Sequence, residues 1–370
     1  MSQNAYLQIC KSCNHEFRAH AKLVGKSVPC PYCQRQLTVL AVAGQPNDKL
    51  VNQEIGGCRL AKRLGAGALG VVYEAKQLSI GRRVAIKMLS SKAASDKEVV
   101  ARFQREANLC AKIKHPNVVG VYDCGLDRGV HFLTMDFIDG LTLAALIEEQ
   151  GKLEWKEAAG YITQIARALE HVHGQGIIHR DIKPANILID EQKVAKLADL
   201  GLAKQVDNEE GSGAGLTMQG IAMGSPAYMP PEQIRNAKEA THLADVYALG
   251  ATFYQTVTGV IPFDGKNGTE VMTKVLREEA APAITRVPTL PQGVSDLIQS
   301  MLSKNPADRP QGAAVLIQEL EAVVADPVKP RSRKRVVKRV AVERLGQRGT
   351  AVIIIAVILV VALIIVLIKT

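Results

Sequence analysis

The segment 179–186, with the sequence HRDIKPAN, combines on one short loop three side chains that suit phosphoryl transfer to a hydroxyl group. Asp181 can accept the proton of the attacking hydroxyl or orient that hydroxyl, and Lys183 can steady the transferring phosphate. Asn186, five residues after the aspartate, can hold a metal ion. The spacing therefore predicts a phosphotransfer site on this loop, against the alternative of a surface loop that matches by chance.

A glycine-rich segment, 65–70, is a second feature that suits phosphate. Without side chains at Gly65, Gly67 and Gly70, backbone N–H groups can approach phosphate oxygens closely. The same pattern occurs in dinucleotide-binding folds, but there the glycines open a helix that follows a strand. Here they lead into the run VVYEA, which is typical of a strand. The sequence therefore favours a flap over nucleotide phosphates.

Two charged residues at predicted strand ends complete the candidate site. Lys87 ends the apolar strand 84–87 and is costly to bury without an anionic partner, for which Glu106 is the candidate. Asp199 follows the apolar run 194–198 and precedes a leucine and a glycine. That position suits a Mg²⁺ ion that bridges phosphates, because Mg²⁺ takes few protein oxygens beside those of the substrate.

The elements that must position these residues follow from the hydrophobic pattern. Strand-like runs dominate up to about residue 90, whereas residues 96–114 show helical spacing, with Ser95 as the predicted N-cap. Residues 158–173 are also predicted as a helix, and helical patterns dominate from residue 141 onward. A small β-rich lobe followed by a larger α-rich lobe places between them a cleft in which a ligand can bind.

In order and spacing, these motifs resemble those of eukaryotic-type (Hanks-type) Ser/Thr protein kinases, most closely the membrane-attached bacterial members, over residues 55–325. The resemblance implies an α+β, bilobal protein-kinase fold with a small β-rich N-lobe and a larger α-rich C-lobe. It also implies transfer of the ATP γ-phosphate to Ser or Thr hydroxyls of protein substrates. Asp181 would be the catalytic base, Lys183 would support the γ-phosphate, and Asn186 with Asp199 would hold Mg²⁺ or Mn²⁺.

The nucleotide site is assigned by the same resemblance. Lys87 would contact the α- and β-phosphates while paired with Glu106, and Met135 would be the gatekeeper before a hinge whose backbone binds adenine. The implied nucleotide contacts are Leu64, Gly65, Gly67, Gly70, Val72, Ala85, Lys87, Met135, Asp136 and Ile138. Outside the nucleotide site, Asp245 resembles the helix residue that anchors the catalytic loop, and Arg309 resembles the residue that pairs with Glu232.

The chain departs from the family pattern at a few positions. Leu200 stands where Phe is usual, and Pro230 replaces the Ala of an Ala-Pro-Glu motif, but neither change removes a catalytic group. A pseudokinase would be expected to lack Lys87, Asp181 or Asp199, and all three are present. The alternative function, a nucleotide-binding, pseudokinase-like scaffold that recruits partners through its N-terminal module, is therefore less favoured than an active kinase.

Regulation by phosphorylation is predicted from Arg180, which precedes Asp181. A guanidinium at that position favours an anion, and a phosphorylated residue of the following segment can supply one. Between Asp199 and Gly224 the only threonine is Thr217 and the only serine is Ser212. We therefore expect autophosphorylation at Thr217.

Four of the seven cysteines form two CxxC pairs, Cys10/Cys13 and Cys30/Cys33, separated by sixteen residues. Two such turns can bring four thiolates to one Zn²⁺ ion, and a module this small gains its stability from the metal. Residues 1–40 are therefore predicted to form a structural zinc ribbon, the alternatives being a redox dithiol or unpaired cysteines. A protein or regulatory contact is favoured over nucleic acid as the ribbon's role.

The positive charge of the chain is concentrated near its C-terminus. Residues 329–370 carry +9 of the net charge of +10, so the rest is nearly neutral and a nucleic-acid partner is disfavoured. The apolar run 351–368 is long enough for a transmembrane helix, and the preceding basic stem, 326–350, suits anionic headgroups. The predicted topology is a single-pass anchor in the cell membrane with the kinase domain cytoplasmic.

The complete predicted order is a zinc ribbon (1–40), a linker (41–54), a kinase domain (55–325), the basic stem and the span. A homodimer formed through the span is compatible with this order, but the span has no GxxxG pattern to support it.

Overall fold

The computed structural model describes residues 5–9, 16–20, 23, 26–31, 33, 35–38, 48, 50–67, 69–199 and 225–327. Cys10, Cys13 and Thr217 lie outside these residues, as do most of the predicted stem and the whole predicted span 351–368. Within the part that is described, none of the helices combines the length and the apolar composition that a bilayer crossing requires.

Two short antiparallel hairpins lie in the N-terminal part of the chain. The first pairs β1 (Ala5–Ile9) with β2 (Glu16–His20), and the second pairs β3 (Ser27–Pro29) with β4 (Gln36–Thr38). The first CxxC pair falls in sequence between β1 and β2, and the second falls between β3 and β4.

A six-stranded antiparallel sheet and two helices form the small lobe. Its elements are β5 (Glu54–Ile55), β6 (Cys58–Ala66), β7 (Gly70–Gln77), β8 (Arg83–Leu89), α1 (Ser91–Ala94), α2 (Lys97–Cys110), β9 (Val121–Asp127) and β10 (Val130–Asp136). The strand order in the sheet is β5-β6-β7-β8-β10-β9. This order places β8, which carries Lys87, between the glycine-rich β6–β7 hairpin and β10, which carries Met135.

The side chains of β8 alternate between the core of the small lobe and the face that carries Lys87. Val84, Ile86 and Met88 are buried in a cluster with Leu60, Tyr73 and Phe132 of the neighbouring strands. Because successive side chains of a strand point to opposite faces, Ala85 and Lys87 project from the other face. The core of the lobe therefore fixes the position of the lysine.

Helix α2 begins one residue later than predicted and ends four residues earlier. Asp96, not Ser95, is its N-cap, because the Asp96 carboxylate accepts hydrogen bonds from the N–H groups of Glu98 and Val99 at 2.9 and 3.3 Å. Ser95 instead ends the short helix α1. An ionised carboxylate at a helix N-terminus also interacts favourably with the helix dipole.

The C-terminal end of the predicted linker 41–54 is packed onto the small lobe. Tyr73 is fully buried and its hydroxyl donates to the Asp48 carboxylate, while Leu50 and Val51 pack against the core of the sheet. The backbone of Asn52 and Gln53 exchanges hydrogen bonds with Leu60. The sequence analysis did not predict this packing, because the polar residues of the segment are typical of a linker.

The large lobe is mainly helical and follows β10. Its elements are β11 (Gly140–Thr142), α3 (Leu143–Gln150), α4 (Trp155–Gly174), β12 (Ile187–Asp190), β13 (Ala195–Leu197), α5 (Pro231–Arg235), α6 (His242–Thr258), α7 (Gly268–Arg277), α8 (Ala283–Arg286), α9 (Gln292–Met301) and α10 (Ala313–Ala325). Helices α4 and α6 supply much of a single apolar core, and β11-β12-β13 form a small antiparallel sheet. The predicted helix 158–173 lies within α4.

A buried ion pair in the large lobe joins Arg309, which precedes α10, to Glu232 of α5. Both Glu232 oxygens accept hydrogen bonds from the guanidinium of Arg309, at 2.6 and 2.7 Å, and the Arg309 side chain is fully buried. Arg309 also donates to the backbone carbonyls of Leu243 and Ser303. The predicted pairing of Arg309 with Glu232 is thus confirmed.

Candidate functional site

Asp245 of α6, a fully buried carboxylate, anchors the N-terminal end of the loop 179–186. Its two oxygens accept the backbone N–H groups of His179 and Arg180, each at 2.8 Å, and His173 of α4 lies 2.7 Å from the same carboxylate. The predicted anchoring role of Asp245 is confirmed. Arg180 adopts a left-handed backbone conformation, with φ of +64°, which costs energy for a side chain with a Cβ atom. The carboxylate offsets this cost by accepting both N–H groups.

Three predicted site residues meet at the end of this loop. The ammonium group of Lys183 donates to Oδ2 of Asp181 at 2.9 Å. The Asn186 amide donates to the same oxygen at 3.1 Å and to the Asp181 carbonyl at 2.8 Å. The base, the lysine and the amide are therefore brought together as the sequence indicated.

His179 connects this loop to Asp199, a role that the sequence motif alone did not reveal. The backbone N–H of Asp181 donates to His179 Nδ1 at 3.2 Å, so the other ring nitrogen, Nε2, is the donor toward the Ala198 carbonyl at 3.2 Å. Burial lowers the pKa of His179, an effect that Asp245 opposes, so the neutral ring with one donor and one acceptor is favoured. A second bond, from Ala198 N–H to the Asn186 carbonyl at 2.9 Å, fixes the same junction.

Asp199 follows β13 and takes a left-handed conformation, with φ of +52°. Its carboxylate and the amide oxygen of Asn186 come from two segments that the bonds of Ala198 hold together. One carboxylate and one amide oxygen form the small oxygen donor set with which proteins hold Mg²⁺ when phosphates complete the coordination. The two residues therefore fit the predicted metal.

The predicted ion pair between Lys87 and Glu106 is wrong for this structure. Among the described residues, the ammonium of Lys87 makes its ion pair with Asp199 Oδ1 at 2.7 Å, and Glu106 lies beyond ion-pair distance. Burial lowers the pKa of Lys87, but the attraction of Asp199 and Glu106 outweighs it and raises this pKa above its ordinary value.

The two carboxylates that attract Lys87 differ in their burial. Burial raises the pKa of Glu106 to about 7, with Lys87 opposing the shift and Asp199 adding to it. The Asp199 side chain is 47% exposed and keeps much of its hydration, whereas Glu106 is 8% exposed. Burial therefore disfavours the ionised form of Glu106. Glu106 remains close enough to attract Lys87 electrostatically.

The glycine-rich loop joins β6 to β7, and its glycines serve two purposes. A Cβ atom at Gly70 would lie 1.9 Å from the Met88 carbonyl, so this position admits only glycine for reasons of packing. At Gly65 and Gly67 a Cβ atom would meet nothing within 4 Å. Packing does not require glycine there, which favours close approach of a ligand to the backbone as the reason.

The other predicted nucleotide contacts lie on adjacent strands of the sheet. Val72 pairs with Lys87 across β7 and β8, and Met135 pairs with Ala85 across β10 and β8. Leu64 is 40% exposed at the end of β6, beside Gly65. Asp136 ends β10, and Phe137 and Ile138 continue the chain toward the large lobe. The sheet thus places all these residues along one path from the glycine loop to the hinge.

Two further predictions concern residues that are only partly described. Arg180 Nε is buried and has no hydrogen-bond partner within the part of the chain that the structure describes, so the guanidinium can still bind an anion. Thr217 lies outside that part. Cys30 is buried and Cys33 half-buried, whereas Cys10 and Cys13 are not described. Within the described ranges, no group of three or more His, Cys, Asp or Glu side chains could hold a metal ion.

The sequence of the chain matches a known protein family. A model of the protein kinase domain family matches residues 58–320, which is well over half of the 370 residues. The chain therefore belongs to the protein kinase domain family. The match ends within α10, and the packed segment at residues 48–54 precedes it.

Bacterial serine/threonine-protein kinases are among the similar curated proteins. Pkn3 of Myxococcus xanthus is 38% identical over 272 residues, covering 72% of this chain and 49% of pkn3. PrkC of Bacillus subtilis is 36% identical over 261 residues, covering 70% of this chain and 39% of PrkC. The chain thus spans half or less of the length of these relatives.

A solved structure confirms the bilobal fold. A point mutant of the PknI kinase domain of Mycobacterium tuberculosis aligns with a TM-score of 0.58 and 25% sequence identity. The alignment covers 74% of this chain and 98% of the PknI chain.

Proposed function

We propose that the chain is an ATP-dependent protein kinase that transfers the γ-phosphate to Ser or Thr hydroxyls of protein substrates. The observation that carries this proposal is the cluster of Asp181, Lys183 and Asn186, joined to Asp199 through His179 and Ala198. The bacterial relatives whose names describe Ser/Thr kinases support the same activity.

The proposed chemistry uses each residue at a stated atom. Asp181 accepts the proton of the substrate hydroxyl. At the same time the hydroxyl oxygen bonds to the γ-phosphorus, and the bond between the γ-phosphorus and the leaving β-phosphate oxygen breaks. Lys183, which donates to the Asp181 carboxylate, would support the transferring γ-phosphate. Asn186 and Asp199 would hold Mg²⁺ or Mn²⁺, which would neutralise phosphate charge, and Lys87 would contact the α- and β-phosphates.

The test compares phosphate transfer from labelled ATP by the wild type, Lys87→Met and Asp199→Asn. We expect Ser and Thr phosphorylation by the wild type and a loss of about 100-fold or more in both variants. Equally little transfer by all three proteins would refute the proposal and favour a nucleotide-binding scaffold.

Phosphorylation of Thr217 is the proposed regulatory event. Arg180 supports it, because its buried Nε atom has no hydrogen-bond partner among the described residues and the residue directly precedes Asp181. A phosphate dianion near Arg180 would form charge-assisted hydrogen bonds. Thr217→Ala should lower the rate of substrate phosphorylation, whereas Ser212→Ala, the control in the same segment, should not. Phosphopeptide mapping of fully active protein with Thr217 unmodified would refute this regulation.

The N-terminal hairpins are proposed to form a structural zinc ribbon with Cys10, Cys13, Cys30 and Cys33 as ligands. The pattern supports this, because each CxxC pair falls between two strands of an antiparallel hairpin. Protein purified without chelator should contain one equivalent of zinc, and Cys30→Ser should lose it while Cys124→Ser keeps it. Metal-free wild-type protein would refute the ribbon.

Membrane attachment is proposed from the sequence of residues 329–370. The basic stem and the apolar run 351–368 would anchor the chain in the cell membrane, with the kinase domain on the cytoplasmic side. We expect the full chain in the membrane fraction, resistant to extraction by salt and released by detergent. Replacing four apolar residues of the run by lysine should release it, and a soluble wild-type chain would refute the anchor.

A further inference from the structure

Arg82 directly precedes β8, Arg83 is the first residue of β8, and both extend toward the hinge that follows β10. The guanidinium carbon of Arg82 lies 3.5 Å from the centroid of the Tyr122 ring on β9. The Tyr122 hydroxyl donates in turn to Oδ1 of Asp136. Arg82 therefore reaches the first hinge residue through a stacked tyrosine.

Asp136 is fixed at three of its atoms. Its Oδ2 accepts the Gly120 N–H at 2.8 Å, and its own N–H donates to the Gly120 carbonyl at 2.8 Å. A Cβ atom at position 120 would lie 3.0 Å from Oδ2, so the glycine leaves room for this close approach. With the bond from Tyr122, the backbone and the carboxylate of the hinge residue are both held in place.

Arg83 holds the other end of the hinge. Its Nη1 donates to Asp139 at 2.9 Å, its Nε donates to Glu74 of β7 at 3.0 Å, and its guanidinium carbon lies 4.2 Å from the Phe137 ring centroid. The two arginines therefore contact the hinge at two separate places, Arg82 through Tyr122 and Arg83 through Phe137 and Asp139.

The ion pair of Arg83 with Asp139 is too exposed to contribute much to folding. The side chains of Arg83 and Asp139 are 54% and 63% exposed, and exposed ion pairs generally stabilise proteins little. Arg82 Nε is buried without a hydrogen-bond partner among the described residues, which is a cost to the fold. The arrangement is better explained by the position that it gives to the hinge.

We propose that Arg82, Tyr122 and the Asp136 carboxylate, with Arg83 as a second arm, are positioning residues for the nucleotide. The inference rests on the proposed function, in which the hinge backbone binds adenine and Lys87 binds phosphates. Val84 pairs with Asp136 across the two strands, and Lys87 lies three residues farther along the same strand. The contacts therefore fix the separation between the adenine-binding and phosphate-binding ends of the site.

Tyr122→Phe and Arg82→Met in the full chain test this inference. Phe keeps a ring beneath Arg82 and removes only the hydroxyl that donates to Asp136. Tyr161→Phe is the matched control, because Tyr161 also donates to a carboxylate, Glu157, at 2.9 Å but lies on α4. Arg59→Met, which removes an exposed small-lobe ion pair with Glu54, is the control for Arg82→Met.

The readouts are the dissociation constant of ATP–Mg²⁺, measured by equilibrium binding, and the separate values of KM and kcat. We expect a rise of about three- to tenfold in the dissociation constant and in KM for ATP in Tyr122→Phe and Arg82→Met. We expect kcat to stay within about twofold, since neither residue contacts the transferring phosphate. Arg82→Lys, which retains a cation, should give a smaller change.

The outcomes separate this inference from the proposed function. Unchanged nucleotide affinity in folded Tyr122→Phe and Arg82→Met would overturn the positioning role, even if the wild type is an active kinase. Weaker nucleotide binding in both variants would support it, even if the wild type transfers no phosphate. An equal loss of affinity in the two controls would also overturn it, because the effect would then be general.

Discussion

At Glu106, burial raises the pKa of the carboxyl from 4.5 to about 7, with Lys87 opposing the shift. Because this folded-state pKa lies above the unfolded one, the stability linked to the proton is fully present below pH 4.5 and is lost as the pH rises through about 7. Relative to Glu106→Gln, the wild type should lose on the order of 2 to 3 kcal/mol of unfolding free energy between about pH 5 and pH 8.

Urea unfolding of both proteins at the two pH values measures this difference. Carboxylates distant from Glu106 titrate equally in the two proteins, so their contributions cancel in the comparison. The same pH dependence with and without Glu106 would contradict a buried carboxyl with a raised pKa. Glu106, the second electrostatic partner of Lys87, would then be ionised over the whole pH range of the comparison.

Between elements, the ion pair of Arg309 with Glu232 is the contact whose loss should cost most. Both partners are largely buried, so removing the guanidinium leaves an unpaired carboxylate away from water. Arg309→Met should lower the unfolding free energy by about 3 to 5 kcal/mol. Arg167→Met is the control, because its pair with Glu321 at 3.0 Å is about half exposed, and its loss should cost less than about 1 kcal/mol. Equal losses measured by denaturant titration would refute this ranking.

The segment before β5 offers a second test at the level of elements. The Tyr73 hydroxyl donates to Asp48, and Leu50 and Val51 pack on the same sheet. Tyr73→Phe and Asp48→Ala should each lower the unfolding free energy by about 1 to 2 kcal/mol, and the double variant should lose no more than the larger single loss. Additive losses in this double-mutant cycle would show that the two side chains do not act together.

Across the whole molecule, the sequence predicted local features better than long-range contacts. Asp181, Lys183 and Asn186 lie within six residues on one loop, so their spacing alone brought them together correctly. The partner of Lys87 could not be predicted in this way, because Asp199 is 112 residues away and only the tertiary structure brings the two side chains together.

Other contacts could not be predicted from the sequence for related reasons. His179 was part of the quoted motif, but its link to Ala198 depends on where β13 ends. The packed segment at Asp48 looked like a linker because its polar residues serve a buried tyrosine rather than solvent. Arg82 and Tyr122 belong to no motif, and only the strand order β8-β10-β9 brings them together.

The central claim is that Asp181 removes a proton from a protein hydroxyl during transfer of the ATP γ-phosphate. The most direct test is Asp181→Asn, which keeps the shape of the side chain and removes its basicity. We predict that this variant binds ATP–Mg²⁺ with an affinity within a few-fold of the wild type and transfers phosphate to Ser and Thr at least about 100-fold more slowly. A variant that binds the nucleotide and transfers phosphate at the wild-type rate would contradict the account.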